Sequence, residues 1–117
     1  MKRLTASVLV LFALAIGSAS AAPHHAAATT TISVKAGDFY FKLSKGSIAK
    51  PGTVVFAVKN VGHLAHDLKI AGKKTALIQP GKSAKLKVVF TKAKKYVYLC
   101  TVPGHAAQGM QGTFVVH

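Results

Sequence analysis

Apolar and polar residues alternate with a period of two through most of the chain after residue 30. In the 83–90 segment, Leu86, Val88 and Phe90 occupy every second position and lysines stand between them. Such alternation is typical of a β-strand that has one buried face. Comparable short patterns predict further strands at 31–35, 38–43, 47–50, 53–58, 67–70, 96–100 and 112–117, and the 75–78 segment leads to the turn at 80–81.

Three pairs that contain glycine separate these segments and predict turns: Lys45-Gly46, Pro51-Gly52 and Pro80-Gly81. No segment shows a convincing helical period. Within 38–43, we expect Phe39, Phe41 and Leu43 to share one face. About eight short strands joined by such turns predict an all-β domain, either an antiparallel sandwich or a barrel, with a single core.

The first 21 residues have a different pattern. Lys2 and Arg3 form a charged start, an unbroken apolar run follows over 8–16, and small residues occupy 19–21. This pattern predicts a secretory signal peptide. A transmembrane anchor is the alternative, but the run is well short of the roughly 20 residues that a spanning helix needs.

Small residues dominate the segment 22–30, which we expect to be a flexible N-terminal tether. Its adjacent His24 and His25 could bind a metal as a pair, although a solvated tail is the simpler interpretation. The remainder, 31–117, is predicted to be one folded domain. The protein is expected to be exported to the bacterial periplasm or another extracytoplasmic space, without stable insertion in the membrane.

The exported part of the chain is strongly basic. It holds 14 lysines against two acids, Asp38 and Asp67, which leaves a net charge of +12. Nucleic acid is not the expected partner, because the lysines are spread along the chain and lysine lacks the planar fork of arginine. The charge fits either the steering of an acidic protein partner or a solvated coat that keeps a small β-protein monomeric.

A mixed set of metal donors lies near the end of the chain. Cys100, His105 and Met110 follow one another at five-residue steps, and His66 lies upstream beside an apolar strand pattern. A thiolate, two imidazoles and a weak thioether select copper, and together they form the blue-copper type of electron-transfer site. The sequence therefore predicts one copper ion, bound by these four residues, with electrons crossing the surface at His105.

Each of these residues has a simpler alternative. A lone cysteine is often an inert buried residue, and His63 competes with His66 for the metal. We favour His66 because it leads directly into a strand. Asp67 and Thr101 each follow a ligand, and a hydrogen bond between their side chains is predicted to hold the two ligand loops together. The alternative for Asp67 is a solvent-exposed acid.

The chain resembles the cupredoxin family of small blue-copper proteins, which includes plastocyanin, azurin and rusticyanin. The resemblance covers nearly all of 31–117 and rests on eight motifs: Phe39-Tyr40-Phe41, Pro51-Gly52-Thr53-Val54-Val55-Phe56, Asn60-Val61-Gly62, His66-Asp67-Leu68, Pro80-Gly81-Lys82-Ser83, Tyr96-Val97-Tyr98-Leu99-Cys100, Pro103-Gly104-His105 and Gly109-Met110. It implies an eight-stranded Greek-key sandwich with copper at one end, bound through Nδ1 of both histidines. Several members carry Asn or Ser where Asp67 stands, and a disulfide found in some is absent here.

The resemblance also implies that the protein carries single electrons between larger redox proteins. A cytochrome c, or an oxidase or reductase with an acidic docking surface, is the expected kind of partner. The alternative is a protein that stores or delivers copper without redox turnover. An enzymatic role is not expected, because a copper oxidase or nitrite reductase needs a further copper site built from several extra histidines.

Overall fold

The computed structural model describes residues 29–117 and the isolated positions Ala13 and Gly17. Apart from those two positions, the predicted signal peptide at 1–21 lies outside the described residues, as do His24 and His25. Within the described part of the chain, no helix is long and apolar enough to cross a membrane.

Nine strands and one short 3₁₀ helix (Ala106–Gln108) make up the described fold. The strands are β1 (Thr29–Gly37), β2 (Tyr40–Leu43), β3 (Ser47–Ile48), β4 (Gly52–Asn60), β5 (Lys69–Ile70), β6 (Lys73–Lys74), β7 (Ser83–Phe90), β8 (Lys94–Leu99) and β9 (Gln111–Val116). They form two sheets, one with the order β2-β1-β4-β7 and the other with the order β3-β9-β8-β5-β6. The predicted all-β sandwich is confirmed.

The core lies between the two sheets and follows the predicted alternation. In β7, Leu86, Val88 and Phe90 are buried while the lysines between them are exposed. Three aromatic rings join the two sheets: the centroid of Phe114 lies 5.5 Å from those of both Phe56 and Phe90. Edge-to-face and tilted ring pairs of this kind add to the free energy gained from apolar burial.

Two pairs of neighbouring strands are parallel, which corrects the expectation of an antiparallel arrangement. β1 runs parallel to β4, and β3 runs parallel to β9. The reason is the path of the chain: β2 turns back on β1, β3 crosses to the other sheet, and β4 then returns beside β1 in the same direction.

The 75–78 segment forms no strand. The only strand in that region is β6, which ends at Lys74, and Ile78 makes an isolated bridge to His66. Thr75 instead bonds to Leu68 twice, because its N–H donates to the Leu68 carbonyl and its hydroxyl accepts from the Leu68 N–H. The segment thus has isolated hydrogen bonds in place of a continuous β-ladder. These bonds connect it to the loop that holds His66.

Phe39 precedes the strand that holds Phe41 and Leu43, so the strand predicted over 38–43 is shorter in the structure. It lies in the turn between β1 and β2 with a φ angle of 69°, a left-handed conformation that is rare for a bulky residue. The turn breaks the period of two, so β2 begins only at Tyr40. This turn lies at the end of the sandwich where the metal-binding residues meet.

Candidate metal centre

His66 is held in place through its own backbone. Its N–H donates to the Ile78 carbonyl at 3.1 Å and its carbonyl accepts from the Ile78 N–H at 2.7 Å. Asn60, at the end of β4, donates from its amide to the carbonyls of Leu64 and Ile78. The loop before His66 is thereby fastened on both sides, and the imidazole is completely buried.

The loop from 100 to 110 brings Cys100, His105 and Met110 to the same end of the sandwich. The Cys100 N–H donates to the Met110 carbonyl at 3.1 Å, and the Met110 N–H donates to the His105 carbonyl at the same distance. Gly109 closes the loop with a φ of 111°, a conformation that residues with a Cβ rarely adopt. Three predicted ligands on one short loop are therefore held by its backbone hydrogen bonds.

Three of the four predicted ligands meet with their donor atoms facing one another. Nδ1 of His66 lies 3.0 Å from Nδ1 of His105, and the Cys100 sulfur lies 3.6 Å from the same His105 nitrogen. All three donor atoms fall within 4.8 Å of one another, and all three residues are buried. A sulfur and two ring nitrogens in this arrangement fit a copper ion.

Met110 is fully buried at the end of the same loop. Its thioether is the weak fourth donor of the predicted set. A thioether is polarizable and tolerates a long contact, so Met110 would serve as the weak donor to a bound copper ion.

The protonation of the donor atoms agrees with a site for a metal ion. Two imidazole nitrogens that face each other at 3.0 Å cannot both carry a proton toward one another. A cation between the rings would satisfy both lone pairs. Burial raises the pKa of the Cys100 thiol above its usual range, so a metal must displace the thiol proton to bind.

Asp67 and Thr101 connect the two ligand loops. The Thr101 N–H donates to one Asp67 carboxylate oxygen at 2.6 Å, and the Thr101 hydroxyl donates to the other. Asp67 is buried, and is not a solvent-exposed acid. The pair fixes the backbone next to His66 against the backbone next to Cys100.

His63, the competing histidine, lies outside the cluster. Its side chain is 97% exposed and contacts the carboxylate of Asp38. Sequence reasoning missed Asp38, which also accepts a hydrogen bond from Nε2 of His66 at 2.9 Å. It missed Phe39 as well, whose ring packs edge-on against His105 with the centroids 5.3 Å apart. The available signal was the scarcity of acids in so basic a domain.

Replacing Asp67 with Ala is expected to lower the affinity for copper by about 10- to 100-fold, which is the usual effect of losing a partner that orients a metal site. The Thr101 N–H and hydroxyl lose their acceptor, so the two ligand loops become free to separate. Competition with a Cu(I) chelator measures the change. Thr101→Val removes only the hydroxyl and should give a smaller loss. An Asp67→Ala variant with unchanged affinity would show that the loops are held together by other contacts.

Comparison with known proteins agrees with this geometry. The chain is 27% identical to the copper-resistant cuproprotein CopI of Pseudomonas aeruginosa, over an alignment of 173 residues that covers 97% of this chain and 96% of that protein. Reduced auracyanin from Roseiflexus castenholzii matches with a TM-score of 0.66 and 22% identity, over 77% of this chain and 98% of that one.

Auracyanin A from Chloroflexus aurantiacus, which is described as a blue copper protein, matches with a TM-score of 0.65 and 21% identity. This match covers 77% of the present chain and all of auracyanin A. At such identities the two structures show the fold alone. The family of copper binding proteins described as the plastocyanin/azurin family matches residues 20–117. The chain therefore belongs to the plastocyanin/azurin family, and copper is its metal.

Proposed function

We propose that this protein carries single electrons between larger redox proteins. The observation behind the proposal is the convergence of one sulfur and two imidazole nitrogens in a buried cluster that is fastened from several loops. Copper bound there supplies a one-electron couple between Cu(I) and Cu(II). Because the backbone fixes the donors, they can serve both oxidation states with little movement, which favours fast transfer.

His105 is the place where an electron would cross the protein surface. It keeps 8% of its surface exposed, whereas His66, Cys100 and Met110 are at 0%, 1% and 0%. The imidazole of His105 is thus the ligand that a docked partner can approach most closely.

An apolar surface at the copper end supports docking. Four of the large apolar side chains that remain exposed lie close in sequence to residues at this end: Tyr40 begins β2 after the turn with Asp38, and Val61, Leu64 and Leu77 lie in the loops next to Asn60, His66 and Ile78. Exposed apolar side chains grouped in this way are typical of a protein–protein contact surface.

The charge distribution favours an acidic partner. All 14 lysines of the exported part lie within 29–117, and both of its acids are engaged at the copper site. The outer surface is therefore almost purely cationic and would steer a negatively charged redox protein toward it. A cytochrome c with an acidic face, or an oxidase or reductase, is the kind of partner we propose. The carrier itself would be monomeric and exported, without enzymatic activity.

Storage or delivery of copper is the second candidate function. It is supported by the similarity to CopI, which is described as a copper-resistant cuproprotein. A storage protein needs tight binding of copper but no rapid exchange of electrons with a partner.

A copper-loaded sample separates the two functions. An electron carrier is expected to show the intense visible band of a copper–thiolate bond, a reversible midpoint potential and rapid exchange with a cytochrome in stopped-flow experiments. Tight Cu(I) binding without reversible oxidation would instead support storage or delivery and would contradict the carrier.

Replacing His105 with Gly is expected to remove most of the electron exchange with a partner protein, and added imidazole should restore part of it. The reason is that the His105 imidazole, the least buried of the four ligands, would provide both a ligand and the route to the surface. His117→Gly removes a histidine near the chain end and serves as the control. Its rate of electron exchange should equal that of the wild type, both with and without added imidazole. Exchange by His105→Gly at the original rate without imidazole would exclude this route.

Steering predicts a salt-dependent rate of association. The rate constant with an acidic partner is expected to fall steeply as the ionic strength rises, because salt screens exposed charges beyond about 10 Å at 0.1 M. A rate that does not respond to salt would leave the lysines with a role in solubility alone.

Two matched sets of lysines test where the steering acts. The set near the copper end is Lys59, Lys69 and Lys82. The set near the opposite end is Lys50, Lys92 and Lys95. Replacement by glutamine changes the net charge equally in both sets. Replacing the first set should nevertheless reduce the salt dependence of the association rate more than replacing the second. Equal effects from both sets would contradict a partner that docks at the copper end.

A further inference from the structure

The turn between β1 and β2 contacts both histidines of the copper site. Asp38 accepts a hydrogen bond from Nε2 of His66 at 2.9 Å, and the ring of Phe39 lies nearly perpendicular to that of His105, at 86°. Phe39 adopts the left-handed conformation in this position, which is a strained one for a residue with a bulky side chain. Strain of this kind persists where the surrounding structure holds a residue in place.

The two nitrogens of His66 have separate partners. Nε2 faces a carboxylate, which can only accept a hydrogen bond, and Nδ1 faces the other donors of the cluster. A neutral imidazole bears its proton on one nitrogen only. Bonding to Asp38 therefore places the proton on Nε2 and leaves the lone pair of Nδ1 for the metal.

The carboxylate of Asp38 is itself held by the loop that leads to His66. The His63 N–H lies 3.0 Å from both of its oxygens, and the Leu64 N–H donates at 3.1 Å. These backbone N–H groups, that of His63 first, together with the His66 ring hold the pKa of Asp38 well below its usual range. Both oxygens of Asp38 thus accept hydrogen bonds from the loop, which aims the carboxylate at Nε2 of His66.

Gly62 makes room for this contact. A Cβ at position 62 would lie 2.3 Å from Oδ1 of Asp38, which is closer than atoms can approach. The Gly62 N–H is held by the Asn60 side chain at 2.9 Å. The loop is therefore shaped around the carboxylate.

The contacts of the two acidic residues in this domain also indicate a role at the metal site. Within residues 29–117, neither aspartate forms a salt bridge with a lysine, although 14 lysines are present. Asp67 binds Thr101, and Asp38 binds His66. An acid that only balanced surface charge would be expected to face the lysines.

We propose that Asp38 is a positioning residue that sets the tautomer and orientation of His66, and thereby the affinity of the site for copper and its reduction potential. A carboxylate on the far nitrogen makes His66 a more basic ligand. It also places a negative charge near the metal, which favours Cu(II) over Cu(I). The inference rests on the copper site and holds whether the protein carries electrons or stores copper.

The first test needs no metal. Nitrogen NMR of the metal-free protein reports which ring nitrogen of His66 bears the proton. We expect it on Nε2 in the wild-type protein, with mixed tautomers in Asp38→Asn. A wild-type His66 protonated on Nδ1 would overturn the proposal, and so would an Asp38→Asn variant whose tautomer population is unchanged.

The second test uses copper. Asp38→Asn is expected to weaken copper binding by about 10- to 100-fold. It should also shift the ratio of Cu(II) to Cu(I) at a fixed potential by about tenfold toward Cu(I), which raises the midpoint by about 59 mV. Equal affinity and an equal midpoint in the variant and the wild type would overturn the proposal.

Two further variants separate positioning from charge. Gln108→Lys adds the same unit of charge at an exposed position of the 100–110 loop, and it should shift the midpoint much less because solvent screens it. Gly62→Ala displaces the carboxylate without a change in charge and should shift the tautomer and the affinity in the direction of Asp38→Asn. A midpoint shift in Gln108→Lys equal to that in Asp38→Asn would overturn positioning in favour of simple charge.

The result for Asp38 is distinguishable from that for electron transfer. Failure of the carrier would appear as slow exchange with redox partners in the wild-type protein. Failure of the present proposal would appear in the tautomer, the affinity and the midpoint of the variants, even if the wild type exchanges electrons rapidly.

Discussion

The site depends on the pairing of β5 with β8, which aligns two ligands that are 34 residues apart in sequence. Lys69 pairs with Leu99, so His66 and Cys100 leave the second sheet at the same end. The bonds from Thr101 to Asp67 extend this pairing beyond the strands. A slip of one residue in the register would turn the buried side chains to the wrong face and separate the two ligands.

Around this pairing, different loops fix different residues of the site. The isolated bridge to Ile78 fixes the backbone of His66, while the hydrogen bonds within 100–110 fix the other three predicted ligands. The turn between β1 and β2 reaches both imidazoles from a third direction. Rigid donors suit a metal that changes its charge, because each oxidation state then finds nearly the same surroundings. The same rigidity would also retain copper in a storage protein.

The acidic and basic side chains occupy different parts of the domain. Two carboxylates face inward to the site, and the lysines cover the outside. This separation leaves a cationic surface around a small group of exposed apolar side chains at the copper end. In the proposed electron carrier, long-range attraction and short-range apolar contact would act in sequence during docking.

Much of this could be predicted from the sequence, because the relevant signals are local. Alternation predicts the buried face of β7, and the spacing of Cys100, His105 and Met110 predicts a loop that gathers soft ligands. The parallel pairing of β1 with β4 could not be predicted, because alternation does not depend on strand direction. Asp38 and Phe39 were missed because a turn conformation, rather than a period, directs them to the histidines.

The most direct test of the account is X-ray absorption at the copper edge of the loaded protein, measured in both oxidation states. The account predicts one short sulfur bond and two imidazole nitrogens in each state, with little change in distance when the electron is added. A copper ion surrounded by nitrogen and oxygen alone would contradict it, as would a set of ligands that rearranges on reduction.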